Sequence, residues 1–302
     1  MMQRSFTLYG HRGARGLSPE NSLPGYATAL KNGVDVVDMD VVMTRDHVLV
    51  VHHNLALNPD IARDKHGTWV HDSKLISQMT TAELAEYDVG RLRPGTRYAG
   101  FFPHQQPVDG TKIPTLLQVI QYIKQQDKKV KFQIEIKNDP DNPEEGYTAR
   151  EMAEALAEII HQENIVDCTE VQAFDWQCLY ELHRIDPAII TAFLTSPASE
   201  LRMRNPDPVI AGSWTGGKLL KDYGNSIPGM IKALGGQLWD PMDIEVTPKQ
   251  LQEAHQLGLK VVTWSAPATS GKDVDLELTR RLIEWGVDGV NTDRPDEVSK
   301  LR

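Results

Sequence analysis

Carboxylates on predicted strands are the side chains with the clearest chemical potential in this sequence. Asp38 and Asp40 lie two positions apart in the apolar run 36–42, and Glu135 lies in a second such run, 130–136. Because side chains alternate across a strand, Asp38 and Asp40 share one face. Two buried carboxylates on one face repel each other and lose hydration, a cost that a divalent cation removes.

An isolated Asp-x-Asp pair is more simply explained by a strand end and a salt bridge. Glu135 changes that interpretation, because a second strand then turns a carboxylate toward a shared face, whereas buried parallel strands usually read as continuous apolar runs. Three carboxylates without cysteine favour a hard cation, Mg²⁺ or Ca²⁺. The sequence therefore predicts one divalent-cation site and does not choose between these two ions.

Two histidines follow different predicted strands, at the position where barrel enzymes carry catalytic groups. His11 follows the strand at 6–9, and His53 follows the strand at 48–51. Two imidazoles beside a metal-bound phosphate can divide proton transfer, one accepting a proton from the attacking hydroxyl and one giving a proton to the leaving oxygen. We predict that His11 and His53 form this pair, and that His52, which alternates away from its neighbour, is structural.

Short β-branched runs alternate with amphipathic stretches, as in parallel βαβ units. The predicted strands are 6–9, 36–42, 48–51, 130–136, 169–173, 189–194, 237–239, 261–264 and 289–291, and the predicted helices are 23–31, 116–125, 149–162, 176–184, 248–257 and 276–285. If 48–51 pairs locally with the end of 36–42, eight main strands remain, which fits a (β/α)8 TIM barrel. A doubly wound open sheet is the alternative, but no Gly-x-Gly-x-x-Gly follows the first strand.

The spans 55–112 and 196–229 interrupt this alternation. A chain of 302 residues can form one large α/β barrel or two ordinary domains. We expect one catalytic domain over 1–302 with an insertion subdomain at 55–112. Each irregular span could cover the mouth of the barrel or be an addition without that role.

Composition narrows the classes of partner. With 32 basic and 42 acidic side chains the formal charge is −10, which disfavours binding to nucleic acid. No apolar stretch approaches the length of a membrane span, so no stable membrane insertion is expected. Two cysteines, Cys168 and Cys178, favour a reduced cytoplasmic setting, with a periplasmic or secreted one if a leader was removed. A small anionic substrate requires a local cation, and the oligomeric state stays open.

Eight segments together resemble the barrel-type glycerophosphodiester phosphodiesterase family. They are His11-Arg12-Gly13-Ala14, Pro19-Glu20-Asn21-Ser22, Asp38-Met39-Asp40, Val50-Val51-His52-His53-Asn54, Ile113-Pro114-Thr115-Leu116, Ile134-Glu135-Ile136-Lys137, Val262-Thr263-Trp264 and Asp288-Gly289-Val290-Asn291-Thr292-Asp293-Arg294-Pro295. They run in the family's order from near the start of the chain to near its end. Any one of them alone is weak, but the set is specific.

The resemblance implies a (β/α)8 barrel with a small insertion after its second βα region, and a metal-dependent reaction. In that reaction the glycerol 2-hydroxyl attacks phosphorus, a cyclic phosphate forms, the alcohol leaves, and hydrolysis gives glycerol phosphate. The implied roles are catalysis for His11 and His53, metal binding for Asp38, Asp40 and Glu135, phosphate binding for Arg12 and Lys137, an aromatic wall beside the glycerol for Trp264, and support of the site for Glu20.

Three features depart from the family pattern, and one of them is Ser265-Ala266-Pro267, which follows Trp264 where the family often continues with a hydroxyl residue, an apolar residue and Asn, and which bears on substrate specificity. Asp38 stands where the family usually has Glu, which shortens a proposed metal ligand by one methylene. Asn54 stands where it usually has Asp, and the loss of a carboxylate beside His53 is expected to lower the pKa of that histidine.

Two further functions remain as alternatives. One is a phospholipase D-like hydrolase of lysophospholipid or sphingomyelin, which would need an apolar approach to the site through Trp69, Phe101-Phe102 or Trp214. The other is a non-catalytic binder of glycerophosphodiesters or sugar phosphates, with its chemistry weakened at Asp38 and Asn54.

Overall fold

Eight parallel strands close into a barrel in the computed structural model, which describes residues 6–126 and 129–302. The strands are β1 (Thr7–Gly10), β2 (Val36–Met43), β3 (Leu49–Val51), β4 (Lys131–Ile136), β5 (Thr169–Ala173), β6 (Ile190–Thr195), β7 (Leu238–Pro241), β8 (Lys260–Trp264) and β9 (Gly289–Thr292). They are ordered β1-β9-β8-β7-β6-β5-β4-β2-β3, and pairing of β1 with β2 completes the ring. The predicted (β/α)8 TIM barrel is confirmed, and the open sheet is excluded.

The strand outside the ring is β3. It pairs antiparallel with the end of β2, with Val41 opposite Val51 and Met43 opposite Leu49. This local hairpin is the arrangement that leaves eight strands for the barrel, as the sequence predicted.

Helices surround the barrel and connect its strands. They are α1 (Leu23–Lys31), α2 (Thr81–Leu84), α3 (Arg97–Phe101), α4 (Leu116–Lys124), α5 (Ala149–Gln162), α6 (Trp176–Ile185), α7 (Pro197–Met203), α8 (Pro208–Gly212), α9 (Ile227–Ala233), α10 (Pro248–Gln256), α11 (Pro267–Ser270), α12 (Leu276–Trp285) and α13 (Pro295–Val298). Every predicted helix and strand is present with each end within two residues. None of the helices in the described ranges is long and apolar enough to cross a membrane.

Capping side chains and apolar faces define the longer helices. Thr115 begins α4 and Thr148 begins α5, each accepting a hydrogen bond from the third backbone N–H of its helix. One face of α5 buries Met152, Leu156 and Ile160 in the main core. This packing holds α5 against the barrel and helps to fix the ends of the strands that it connects, β4 and β5.

The span 55–112 contains the short helices α2 and α3 and packs around an apolar cluster separate from the barrel core. Leu57, Ile61 and Leu84 of this span meet Val42 and Val50 at the β2–β3 hairpin. The division of the chain into one domain over 1–302 with an insertion at 55–112 stays a prediction, and residues 1–5 of it lie outside the described ranges.

The barrel interior changes character along its axis. Toward the amino ends of the strands lies an apolar cluster of Tyr9, Val36, Ala192, Leu238 and Val262, with the buried Glu170 bonded to the Tyr9 hydroxyl. Toward the carboxyl ends the inward-facing side chains become polar. Because (β/α)8 enzymes carry their active sites at the carboxyl ends of the strands, this polar end is where a site is expected.

Candidate active site

Asp40 and Glu135 lie side by side at the carboxyl end of the barrel, because β2 and β4 are paired in a register that places them opposite each other. Lys137 Nζ lies 2.5 Å from a Glu135 oxygen and 3.8 Å from an Asp40 oxygen. Arg12 Nε lies 3.3 Å from the other Asp40 oxygen. Two of the three predicted metal ligands and both predicted phosphate-binding cations therefore form one cluster.

Asp38 faces the same interior one step deeper. Its Oδ1 accepts a hydrogen bond of 2.7 Å from Gln172 Nε2, and its Oδ2 accepts one of 3.0 Å from the backbone N–H of Arg12. Residues 6–126 and 129–302 contain no group of three or more histidine, cysteine, aspartate or glutamate side chains arranged to hold a metal ion. The three-carboxylate ligand set thus stays a prediction, with two members adjacent and the third held by other partners.

Burial makes these carboxylates costly when charged. It raises the pKa of Glu135 to about 8, although Lys137 acts in the opposite direction. Burial also raises the pKa of Asp38. Asp40 is the exception: burial opposes its ionisation, but Arg12, His53 and Lys137 together hold its pKa well below the usual range. Because the donors are all oxygens and their negative charge is buried, Asp40 and Glu135 fit a hard divalent cation.

His11 is fixed by a buried carboxylate. Its Nδ1 lies 2.8 Å from an Asp293 oxygen. Arg15 donates to both Asp293 oxygens, from Nε at 2.8 Å and from Nη2 at 2.9 Å. A carboxylate with a depressed pKa only accepts hydrogen bonds, and Arg15 and His11 depress the pKa of Asp293 against the effect of burial. Arg15 Nη2 also lies 3.1 Å from His11 Nδ1, but the shorter contact of Nδ1, at 2.8 Å, is to the Asp293 acceptor. This contact favours the tautomer with the proton on Nδ1, which leaves Nε2 facing away from Asp293.

His53 has a different partner. Its Nδ1 lies 3.1 Å from the side-chain oxygen of Asn54. Desolvation lowers the pKa of His53 well below its ordinary value, and the positive charges of Arg12 and Lys137 act in the same direction. The pKa of His53 is thus lowered, as predicted, but by burial and the two cations, whereas its hydrogen bond with Asn54 acts in the raising direction. His52 is buried, with Nε2 3.2 Å from the Ala56 carbonyl oxygen.

The loop after β1 places Arg12 above the barrel. Arg12 has a left-handed φ of 50°, which turns its backbone N–H toward Asp38. Its guanidinium Nη1 donates to Glu20 at 3.0 Å. Asn21, also left-handed at 51°, donates from Nδ2 to Asp40 at 2.7 Å. Glu20, which was predicted to support the site, thus contacts the guanidinium of Arg12.

An open cleft of about 330 Å³ runs outward from this cluster. His53, Glu135 and Lys137 line its inner end, and Phe174 and Trp214 lie farther along it. The predicted aromatic wall, Trp264, contacts the Phe174 ring edge-on, with the ring centres 5.7 Å apart. Trp214 Nε1 donates at 2.9 Å to Asp141, which also binds Arg202.

Several residues of the site were not assigned from the sequence: Arg15, Asn21, Tyr98, Gln172 and Asp293. Asn21 and Asp293 lie within the family-like segments, which was a usable signal. Gln172 alternates with Glu170 on β5, the same polar alternation that singled out Glu135. Arg15 and Tyr98 carry no comparable signal in the sequence.

Comparisons with known proteins find relatives of similar sequence and fold. A glycerophosphodiester phosphodiesterase of Bacillus subtilis is 26% identical over 97% of this chain and 85% of its own length. The crystal structure of a Silicibacter pomeroyi protein, provisionally described as a glycerophosphoryl diester phosphodiesterase, is 33% identical, covers 98% of this chain and 92% of its own, and has a TM-score of 0.84. An Oleispira antarctica phosphodiesterase, solved in complex with the product sn-glycerol-3-phosphate, is 20% identical, covers 98% and 96%, and has a TM-score of 0.70.

The fold and these relatives together identify a (β/α)8-barrel hydrolase of phosphoric diesters. The sequence profile of the glycerophosphoryl diester phosphodiesterase family matches residues 11–297. The chain belongs to this family, as its resemblance indicated.

Proposed function

We propose that the protein hydrolyses glycerophosphodiesters to glycerol phosphate and an alcohol, with one divalent cation and with His11 and His53 as the acid–base pair. The observation that carries this proposal is the placement of the histidines about the carboxylates. His53 lines the same cleft as Glu135 and Lys137. His11 directly precedes Arg12, whose backbone N–H donates to Asp38 and whose Nε lies 3.3 Å from Asp40.

The surroundings of the histidines suit them to opposite proton transfers. His53 is held in its neutral form, which can accept a proton from an attacking hydroxyl. Asp293 orients His11 through Nδ1, so that Nε2 can give a proton to a leaving oxygen in the proposed reaction. Arg12 and Lys137 supply donors for the phosphate, and Trp264 supplies an apolar wall for the glycerol.

Asp38, Asp40 and Glu135 would hold the cation, Mg²⁺ or Ca²⁺, with Glu20 supporting Arg12 beside it. When bound, the cation would neutralise phosphate charge and polarise a phosphoryl oxygen. Lys137 contacts both Asp40 and Glu135 and so already stabilises their negative charge. With the cation bound to these carboxylates, the positive charges of Lys137 and Arg12 would be available to a phosphate. An acidic protein could in this way bind an anionic substrate.

The substrate class rests on the named relatives and on the product found in the Oleispira phosphodiesterase. Contacts within this chain disfavour the phospholipase D-like alternative. Phe102 is covered by the Arg15 guanidinium, 4.6 Å from the ring centre, and Trp69 lies against Arg63 at 5.5 Å. Neither forms an apolar entrance, and Trp214 faces the cleft with its N–H bonded to Asp141.

The test is hydrolysis of glycerophosphocholine and its acylated counterpart with Mg²⁺ and Ca²⁺ in parallel. We expect turnover of the deacylated substrate, loss of activity in chelator, and recovery on adding the ion. His11→Ala and His53→Ala should abolish turnover, whereas His66→Ala, at an exposed position of the insertion, should not. Near-normal activity in either active-site variant would refute the acid–base pair. Binding without turnover in the wild type would favour the non-catalytic alternative.

A further inference from the structure

We propose that Tyr98, on α3 of the insertion, is a positioning residue for both the phosphate-binding Arg12 and the imidazole of His11. This inference rests on the proposed function for the roles of those two residues. It assigns to the insertion a part in the reaction that the barrel elements alone do not supply.

The Tyr98 hydroxyl belongs to two series of hydrogen bonds, one through Glu20 and one through Arg15. It donates to Oε2 of Glu20, and Glu20 Oε1 in turn accepts from Arg12 Nη1 at 3.0 Å. The same hydroxyl accepts a hydrogen bond of 3.3 Å from Arg15 Nη1. One hydroxyl thus contacts the residue that holds Arg12 and the residue that holds the partner of His11.

The second series of hydrogen bonds continues through Asp293. Arg15 uses Nε and Nη2 on the two Asp293 oxygens, which leaves Nη1 for Tyr98. Asp293 then binds His11 Nδ1. Because Arg15 and Asp293 are almost completely buried, solvent does not screen their contacts. The loss of a hydrogen bond at Arg15 Nη1 is therefore expected to affect His11 through Asp293.

Packing holds Tyr98 in this place. Thr96 caps α3 by accepting from the Ala99 N–H, and the Tyr98 ring lies edge-on to Phe102 with centres 5.2 Å apart. The Phe102 ring packs against the Arg15 guanidinium, whose central carbon lies 4.6 Å from the ring centre. The contact between insertion and barrel is therefore formed at the arginine that positions Asp293.

The chemistry of the hydroxyl matches this role. Burial and the charge of Glu20 raise the pKa of Tyr98, so the hydroxyl stays protonated and remains a donor to that carboxylate. Removing it leaves a buried carboxylate oxygen and a buried guanidinium each short of one partner. The Glu20 and Arg15 side chains would then move toward other hydrogen-bond partners. As a result, Arg12 and His11 would be less well oriented for a phosphate.

The test compares Tyr98→Phe with Tyr87→Phe, a matched removal of a hydroxyl from the same insertion. Among the described residues, the Tyr87 hydroxyl has no hydrogen bond to another side chain or to the backbone. In Tyr98→Phe we expect KM for glycerophosphocholine and Kd for sn-glycerol 3-phosphate to rise about fivefold to tenfold, and kcat to fall about tenfold. Tyr87→Phe should match the wild type in all three.

Two further measurements separate positioning from folding. In a Glu20→Gln background, Tyr98→Phe should add no further loss of glycerol phosphate affinity, because its effect on Arg12 passes through Glu20. The ¹⁵N side-chain signals of His11 should shift in Tyr98→Phe and stay in place in Tyr87→Phe. This spectrum does not depend on turnover, so it tests the proposal even if the wild type proves inactive on glycerophosphodiesters.

Wild-type constants and an unchanged His11 spectrum in Tyr98→Phe would overturn the proposal. A fall in kcat alone, with KM, Kd and the spectrum unchanged, would indicate only a smaller folded fraction and would also overturn it. Equal changes in both tyrosine variants would assign the effect to packing of the insertion rather than to the Tyr98 hydroxyl.

Discussion

His11 lies in a closed wall of buried ion pairs, whereas His53 lies in the wall of an open cleft. On the side of His11, Asp293 and Arg15 are buried, and Phe102 of the insertion packs against the Arg15 guanidinium. On the second side, the nearest side-chain partner is the neutral Asn54, and the space beyond is a cleft of about 330 Å³. The same residue type is therefore given a buried anionic partner in one place and a neutral amide partner at the edge of a cleft in the other.

This difference indicates two roles, one in orienting a catalytic imidazole and one in contacting the substrate. A closed wall of charge-assisted hydrogen bonds fixes the orientation and tautomer of an imidazole, so changes there should act mainly on kcat. An open wall contacts the variable part of a substrate, so changes there should act on pH dependence and on KM. Substitutions on the two sides should consequently have different kinetic signatures.

The largest effect is expected on the closed side, from Asp293→Asn. The substitution removes the carboxylate charge that orients His11 and leaves the buried Arg15 without its anionic partner, so kcat should fall on the order of a thousandfold. Steady-state kinetics on the folded variant measure this. Asp296→Asn, at a partly exposed carboxylate paired with Arg294, is the matched control and should keep kcat within about twofold. A kcat for Asp293→Asn near that of the control would mean that Asp293 does not position His11.

The same carboxylate should also shape the acid stability of the protein. Because its pKa is depressed in the folded state, it contributes stability that is present above its unfolded pKa of about 4 and is lost as pH falls toward the folded value. Wild type should therefore lose more of its thermal stability below about pH 4 than Asp293→Asn does.

On the open side, Asn54→Asp should move the pH profile. A carboxylate in place of the amide, about 3 Å from His53, would raise the pKa of that imidazole. If His53 must be neutral to act, the acid limb of kcat/KM should move to higher pH by about one unit. Asn54→Ala, which removes the contact without adding charge, should not produce that upward movement. An unchanged acid limb in Asn54→Asp would contradict the role of neutral His53.

The smallest effect is expected farther along the cleft, from Trp214→Ala. Trp214 lines the cleft beyond the polar cluster, so its loss should raise KM about threefold to tenfold and change kcat by less than about twofold. Trp69→Ala, on the insertion and against Arg63, should leave KM unchanged. A large fall in kcat for Trp214→Ala would show that the open side is not limited to binding.

The barrel could be predicted because its signals are local. The two-residue alternation of Asp38 and Asp40 assigns both to one face, and the capped helices between apolar runs impose parallel strands. The short helices α7 and α8 are too brief to show a period, although Ser196-Pro197 and Asp207-Pro208 carry the cap and first-turn proline that begin them.

The contacts that complete the site could not be predicted in this way. Arg15 and Asp293 are 278 residues apart in the chain, and Gln172 and Asp38 are 134 apart. No local pattern encodes such pairs, since only closure of the barrel brings them together. Tyr98 is a stronger case, because it reaches Glu20 from a span whose own structure is irregular.

Calorimetric titration with Mg²⁺ and with Ca²⁺ tests most directly whether the buried carboxylates at the top of the barrel bind a divalent ion. Glu135→Gln removes one proposed ligand, and Glu170→Gln removes a buried carboxylate that lies deeper in the same barrel and binds the Tyr9 hydroxyl. We predict one ion per chain for the wild type and for Glu170→Gln, with affinity at least about a hundredfold weaker in Glu135→Gln. Equal binding in Glu135→Gln and wild type, or no binding in either, would contradict the account.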